Sequence, residues 1–122
     1  MAALHYTKSH EYIKEEEGAY FLGISNHAQK ELGDITYVEL PASGSEFSEG
    51  EVCCTVESVK AVAEVYAPLK LAVVKPNERL NDHPELINED AEGEGWLIEV
   101  TLADASALGA LMDAQAYAAM EK

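Results

Sequence analysis

The chain has very little base with which to offset its acid. Seven lysines and a single arginine, Arg79, stand against 23 aspartates and glutamates, which leaves a formal charge of −15 on 122 residues. A surface this negative disfavours nucleic acid and anionic lipid as partners. No apolar run approaches the ~20 residues that a spanning helix needs, and the N-terminus has neither a signal-peptide core nor an Arg-rich leader. No membrane association is expected, and the compartment is read as bacterial cytoplasm, or mitochondrial matrix if this is a mature eukaryotic chain. Cysteine is limited to Cys53 and Cys54. Neighbours along a strand point to opposite faces, so a bridge between them needs a distorted backbone. Both are expected as reduced thiols, Cys54 in the core and Cys53 partly exposed. His5, His10, His27 and His83 lack zinc-ligand spacing, and there is no nucleophile motif or phosphate-cradling glycine loop. A non-enzyme without a metal is the expectation.

What the chain does have is enough apolar residue, 48%, for one real core and one domain over residues 1–122. Short strands are expected at Leu4 to Tyr6, Glu11 to Lys14 and Ala19 to Gly23, with a polar turn at residues 15–18. Ser25 or Asn26 can cap a short helix in which Ile24, Ala28 and Leu32 stack, and Gly33 ends it. Ile35 to Leu40 alternates as a strand, and residues 42–50 read as a turn-rich connection. A strand from Leu69 to Val74, a helical turn between Glu78 and Asn88, an acidic loop to Gly95 and a strand from Trp96 to Leu102 follow. Asp104 and Asp113 can each cap a helix, the first burying Leu108, Leu111 and Met112, the second placing Tyr117 and Met120 on one side. These tail helices are expected to cover an open sheet edge or face. Short strands with a few helices suggest two packed antiparallel sheets.

The most informative stretch is Val52 to Pro68. If Val59 and Lys60 are the central residues of a tight hairpin, residues whose numbers sum to 119 face each other. Val52/Ala67, Cys54/Val65 and Val56/Ala63 then make an apolar face. Cys53/Tyr66, Thr55/Glu64 and Glu57/Val62 make a mostly polar one. Shifting the register by one residue mixes the faces, so the pattern places Lys60 at the tip. A lysine at a hairpin tip is ordinarily only a solubilising residue.

Glu57-Ser58-Val59-Lys60-Ala61 resembles the lipoyl-attachment motif of the glycine cleavage system H protein family. Tyr6 to Glu11, Gly23-Ile24, His27 to Gln29, Leu32 to Asp34, Val38 to Pro41, Pro84 to Asn88 and Gly93 to Trp96 resemble that family too, in its order. The resemblance implies a mainly β barrel-sandwich hybrid of the lipoyl/biotinyl type with C-terminal helices, and lipoic acid in amide linkage to Lys60. It implies that Glu57 and Gly44 help the lipoylating enzyme recognise the tip. It also implies a cleft with Ser9, Glu11 and Glu64 in which the loaded arm is protected. The expected partners are a pyridoxal-phosphate glycine decarboxylase, a tetrahydrofolate-dependent aminomethyltransferase, dihydrolipoyl dehydrogenase, and a lipoate ligase or lipoyl/octanoyl transferase, all served by a monomeric, non-catalytic carrier. Tyr12 stands where the family usually has tryptophan, Glu64 where it has aspartate, Lys70-Leu71 where it has Ser-Gly, and Ala91-Glu92 where Pro-Tyr is common.

Three other uses of the same hairpin compete: a related carrier that supplies lipoyl groups to other enzymes, a biotin carrier, and an interaction domain whose lysine is never modified. The biotin reading is weak, because Val59 and Ala61 flank the lysine where methionines are normal. A small acidic carrier visiting larger enzymes gains encounter rate from its field, and salt screens that gain. Turnover with the partner enzymes is therefore expected to fall from low to moderate ionic strength, and a flat response excludes steering.

Overall fold

A computed structural model describes residues 3–121. The N-terminal third is a meander: β1 (Ala3–Tyr6), β2 (Glu11–Glu16) and β3 (Ala19–Ile24), paired antiparallel in sequence. The β2–β3 turn is made by Glu17 and Gly18, both at positive φ, 51° and 83°. That conformation matches the right-handed twist of the two strands it joins. β3 leads into α1 (Asn26–Leu32), and of the two candidate caps Ser25 is the one used, its Oγ accepting from the Ala28 N–H at 3.1 Å. Asn26 instead accepts from the Gln29 side chain.

After α1 come β4 (Ile35–Glu39), the two-residue β5 (Glu46–Phe47), and the hairpin β6 (Val52–Ser58) and β7 (Val62–Tyr66). β8 (Leu71–Pro76), the short helices α2 (Arg79–Asp82) and α3 (Leu86–Asp90), and β9 (Ile98–Leu102) complete the sheets. The tail is a 3-10 helix at Ala105–Ala110 and then α4 (Ala114–Glu121). One sheet has the order β1-β2-β3-β9-β8-β5, the other β4-β6-β7, and every pairing is antiparallel. Ile13, Leu22, Val56, Val65, Ile87, Leu97 and Ile98 form the buried centre between them. This is the expected sandwich.

The hairpin register is the predicted one over most of its length: Cys54↔Val65, Thr55↔Glu64, Val56↔Ala63 and Glu57↔Val62. It departs at the base, where Val52 pairs with Tyr66 rather than Ala67 and the register shifts between Val52 and Cys54. Cys53 is the extra residue of a bulge, which turns its side chain inward. Both cysteines are therefore free and buried, and the expectation that Cys53 is partly exposed is corrected. Val52, assigned to the apolar face, comes out 39% exposed. The Cys53 thiol donates to the Val65 carbonyl. A hydrogen bond with Cys53 and burial push the Cys54 thiol well above its usual range.

Other departures are local. Residues 42–50 contain β5, which pairs with β8. Helix α3 runs to Asp90, two residues into the predicted loop. The first tail helix is a 3-10 helix, capped as expected by Asp104, and only Leu108 in it is fully buried. In α4 Tyr117 is buried while Met120 is exposed. The tail covers a sheet edge, as expected, and the edge is that of β1: Tyr6 and Met112 exchange backbone hydrogen bonds, and the Tyr117 ring stacks on Tyr6 with centroids 4.3 Å apart. Leu71 is buried at the start of β8, and neither it nor Lys70 adopts a positive φ. No glycine conformation is needed there.

Tyr12 is fully buried across from Gly23, with its ring where a side chain on that glycine would lie. Its hydroxyl donates to the Ala91 carbonyl at 2.6 Å. Burial, reinforced by the Glu92 and Asp90 charges, pushes the phenol well above its ordinary range, so it stays a donor. Tyr12→Phe removes the donor and strands a buried carbonyl. It is expected to cost about 1–2 kcal/mol, read as a lower urea midpoint at an unchanged slope.

Candidate functional site

The β6–β7 tip is closed by an unusual set of bonds. Ser58 N–H donates to the Ala61 carbonyl at 2.8 Å, but the return bond comes from the Ser58 side chain: its Oγ accepts from the N–H groups of Lys60 and Ala61. The same hydroxyl donates to the Ala61 carbonyl. One serine thus uses its donor and both acceptor positions to stiffen the turn. Val59 and Lys60 remain at negative φ.

The tip also rests on a corner outside the hairpin. Val59 N–H donates to the Asp34 carbonyl at 3.0 Å. That corner is held by Asn88 from α3, whose amide donates to the Gln29 side chain and to the Gly33 carbonyl while its oxygen accepts from the Ile35 N–H. The Lys60 side chain lies over Gly33: a Cβ built on that glycine would sit 3.3 Å from Lys60 Cε and 3.9 Å from Nζ. Gly33 is also at φ 80°, so both its conformation and the stem above it favour glycine. Lys60 itself is exposed, and among the described residues none forms an ion pair with its ammonium.

From Leu32, next to Gly33, a cleft of about 200 Å³ runs between α1 and the free edge of β7. Ile24, Ala28, Leu32, Ala63 and Val65 give it apolar walls. Ser9, His10, Glu11, Glu31 and Glu64 are its polar lining, Glu31 meeting the His27 ring at 3.4 Å. Ser9, Glu11 and Glu64, selected by resemblance, are thus brought to one cleft. Their states differ. Glu11 is only 2% exposed. It accepts from Thr7 Oγ1, Ser9 Oγ and, across the gap between sheets, the Tyr66 N–H at 3.1 Å. Glu64 is exposed, and among the described residues its carboxylate accepts from the Tyr66 hydroxyl alone, at 3.5 Å.

Glu57 is half-buried in β6 between Tyr37 and Val62. Gly44 sits in the turn before β5, at φ 88°, its N–H donating to the Val73 carbonyl. Nothing lies within 4 Å of a Cβ built there, and it is Gly33 that lies under the Lys60 stem. Gly33, Ser58 and Asn88 lie in segments that resemble the family, but the sequence gives none of them a role at the tip: serine two residues before the tip lysine is a local signal for a side-chain-closed turn, whereas Asn88 acts across 53 or more residues. The long, thin stem over a glycine and a narrow apolar cleft beginning one residue away fit a flexible acyl arm on Lys60. Among the described residues no group of histidine, cysteine and carboxylate has the makings of a metal site.

Comparison with known proteins agrees with this geometry. Residues 4–122 match the family model for the glycine cleavage H-protein. The glycine cleavage system H protein of Thermotoga maritima is 52% identical over 112 residues, 92% of this chain and 90% of that one. That of Shewanella halifaxensis is 49% identical over 120 residues, 98% and 93%. The crystal structure of a glycine cleavage system H protein from Mycobacterium marinum superposes with a TM-score of 0.88 at 34% identity, covering 98% of this chain and 96% of the other. With the family model spanning nearly its whole length, the chain belongs to the glycine cleavage H-protein family, and works as the lipoyl-bearing shuttle of that system, a carrier and not a catalyst.

Proposed function

We propose that Lys60 is the residue that carries lipoic acid, in amide linkage, and that the cleft between α1 and β7 receives the arm when it is loaded. The observation that carries this reading is that the Lys60 stem lies over Gly33, whose chain neighbour Leu32 lines the cleft. The lipoyl group supplies a disulfide able to accept an aminomethyl group and, as a dithiol, to be reoxidised. The rest is the scaffold's work. Ser58 and the Asp34 carbonyl hold the attachment point in one place, so that an enzyme meets it in a reproducible pose. The apolar walls cover methylenes, each worth about 0.8 kcal/mol when buried. Glu64 offers an uncommitted carboxylate to a cationic arm end, worth roughly 1 kcal/mol at 4 Å in water and about 4 where partly shielded. Glu11, already saturated by three donors, shapes the cleft and adds negative field.

The partners of this reading are the pyridoxal-phosphate glycine decarboxylase, the aminomethyltransferase that uses tetrahydrofolate, dihydrolipoyl dehydrogenase, and the ligase or lipoyl/octanoyl transferase that modifies Lys60. Glu57 marks the tip for that last enzyme, and the open space above Gly44 suits close approach by its backbone. The H proteins named above are bacterial, which supports a bacterial cytoplasm as the setting.

Intact mass of the protein from its native cell is expected to include one lipoyl increment, and Lys60→Arg is expected to abolish it; an unmodified native chain would overturn the assignment. Glu64→Ala is expected to speed non-enzymatic ammonia release from aminomethyl-loaded protein severalfold with no loss of thermal stability. An unchanged rate removes Glu64 from the role. Glu11→Ala is a poorer probe, because it strands three donors and lowers stability as well.

A further inference from the structure

The outer face of the three-stranded sheet has more apolar surface than a solvated face requires. Across its strands Tyr37, Glu57 and Val62 lie in one register row, adjoining the tip. Tyr37 is 52% exposed, Val62 64%, and Val59 at the tip 68%. The next row, Glu39, Thr55 and Glu64, is polar with two carboxylates. An aromatic and two valines around one half-buried acid, with an acidic margin, have the make-up of an interface centre and rim.

We infer that this face is the docking surface for the enzyme that acylates Lys60, and that Tyr37 and Val62 are its apolar anchors. This rests on the reading of Lys60 as the modified residue. Two observations favour that occupant. The face is continuous with the tip, so an active site closing on Lys60 Nζ must come over the ground beside it. Its Tyr37–Glu57–Val62 row also lies on the opposite side of the hairpin from the side chains of Ala63 and Val65 that line the arm cleft, and only Glu64, at the end of the next row, borders both. An enzyme that takes a loaded arm has to reach the cleft side, whereas the acylating enzyme meets a bare lysine and is free to use the outer face. The partner's complementary surface is apolar at the centre, to cover Tyr37 and Val62, and basic at the margin, to meet Glu39. In the step it performs, the neutral Lys60 amine attacks the carbonyl of an acyl thioester. The C–N bond of the amide forms, the C–S bond breaks, and the amine's proton leaves with the departing thiol.

The test is steady-state acylation of the full chain by a lipoyl/octanoyl transferase with an octanoyl thioester, product being counted by intact mass. Tyr37→Ser and Val62→Thr are compared with wild type and with Val74→Thr, an exposed valine on the other sheet. Both test side chains point to solvent, and threonine keeps the strand preference; a melting curve checks that each variant folds, and Val62→Lys stands in if either does not. The expected result is KM for the carrier raised about tenfold in each test variant, the size of a modest hot spot, with kcat within about twofold and Val74→Thr unchanged. A second arm takes each variant after it has been lipoylated to completion and measures aminomethyl loading by glycine decarboxylase, which is expected to match wild type. Unchanged acylation, or a loss in loading as large as that in acylation, overturns the inference, the latter because the face would then serve the decarboxylase. Wild-type chain that gains no acyl mass at Lys60 would instead overturn the assignment of Lys60, and this inference with it.

Discussion

The structure depends on the bond between the Val59 N–H and the Asp34 carbonyl, because it ties a projecting hairpin tip to a fixed corner of the fold. A two-residue loop in a twisted hairpin is most comfortable with positive φ, for which valine and lysine are poor choices. Here both stay at negative φ, and the strain of joining the strands is taken up elsewhere. Ser58 replaces a backbone acceptor with its hydroxyl, and Asp34 supplies a partner for an N–H that would otherwise face solvent. The corner is in turn fixed by Asn88, which satisfies a donor and two acceptors around Gly33 and Ile35. Stiffness at Lys60 is thus drawn from the hairpin, α1 and α3 together. That matters for a carrier, since only the arm beyond the lysine should be mobile.

The same corner bounds where the proposed arm on Lys60 can lie. Gly33 has no side chain, so the lysine stem crosses the end of α1 instead of standing clear of it. Leu32 and Ala28 then line the path one helical turn apart, with Val65 and Ala63 opposite. Of the three carboxylates that line the cleft, Glu31 meets the His27 ring, and Glu11 and Glu64 divide the remaining work. Glu11 is buried and bound by three donors, one of them the Tyr66 N–H at the end of β7, so it joins the N-terminal meander to the hairpin. Glu64 is exposed and almost uncommitted. Removing Glu11 would move a wall, while removing Glu64 would remove a charge.

Much of this was legible in the sequence because period-two alternation is a strong signal. It gave the hairpin register, and hence Lys60 at the tip, without any family resemblance. Its failure at Cys53 has a definite cause: a bulge adds one residue to one strand and leaves no mark in an apolar run such as Val52-Cys53-Cys54. β5 was missed because two residues have no period. The first tail segment was read as a helix from its cap and its leucines, which do not distinguish a 3-10 helix from an α-helix over six residues. Asn88 was illegible for another reason. Its bonds reach residues 53 to 59 positions away, and nothing local distinguishes it from a loop asparagine.

The tail was expected to cover an open sheet edge or face, and it covers the β1 edge, yet its buried tyrosine reaches further. The Tyr117 hydroxyl shares hydrogen bonds with Ser25, the cap of α1, and with His10, which lines the arm cleft. His10 is at φ 71°, a conformation few side chains adopt without support, and its ring is held between Tyr117 and His27. A strained residue persists only where its surroundings over-determine it. Here the surroundings are α1 on one side and α4 on the other, so the position of this cleft residue is linked to the docking of a helix that comes last in the chain. Edge protection alone would not need a tyrosine at that position, since any apolar residue stacked on Tyr6 would cover the strand. The phenol's hydrogen bonds are what connect the end of the chain to the start of the helix and to the cleft in which the arm is proposed to rest.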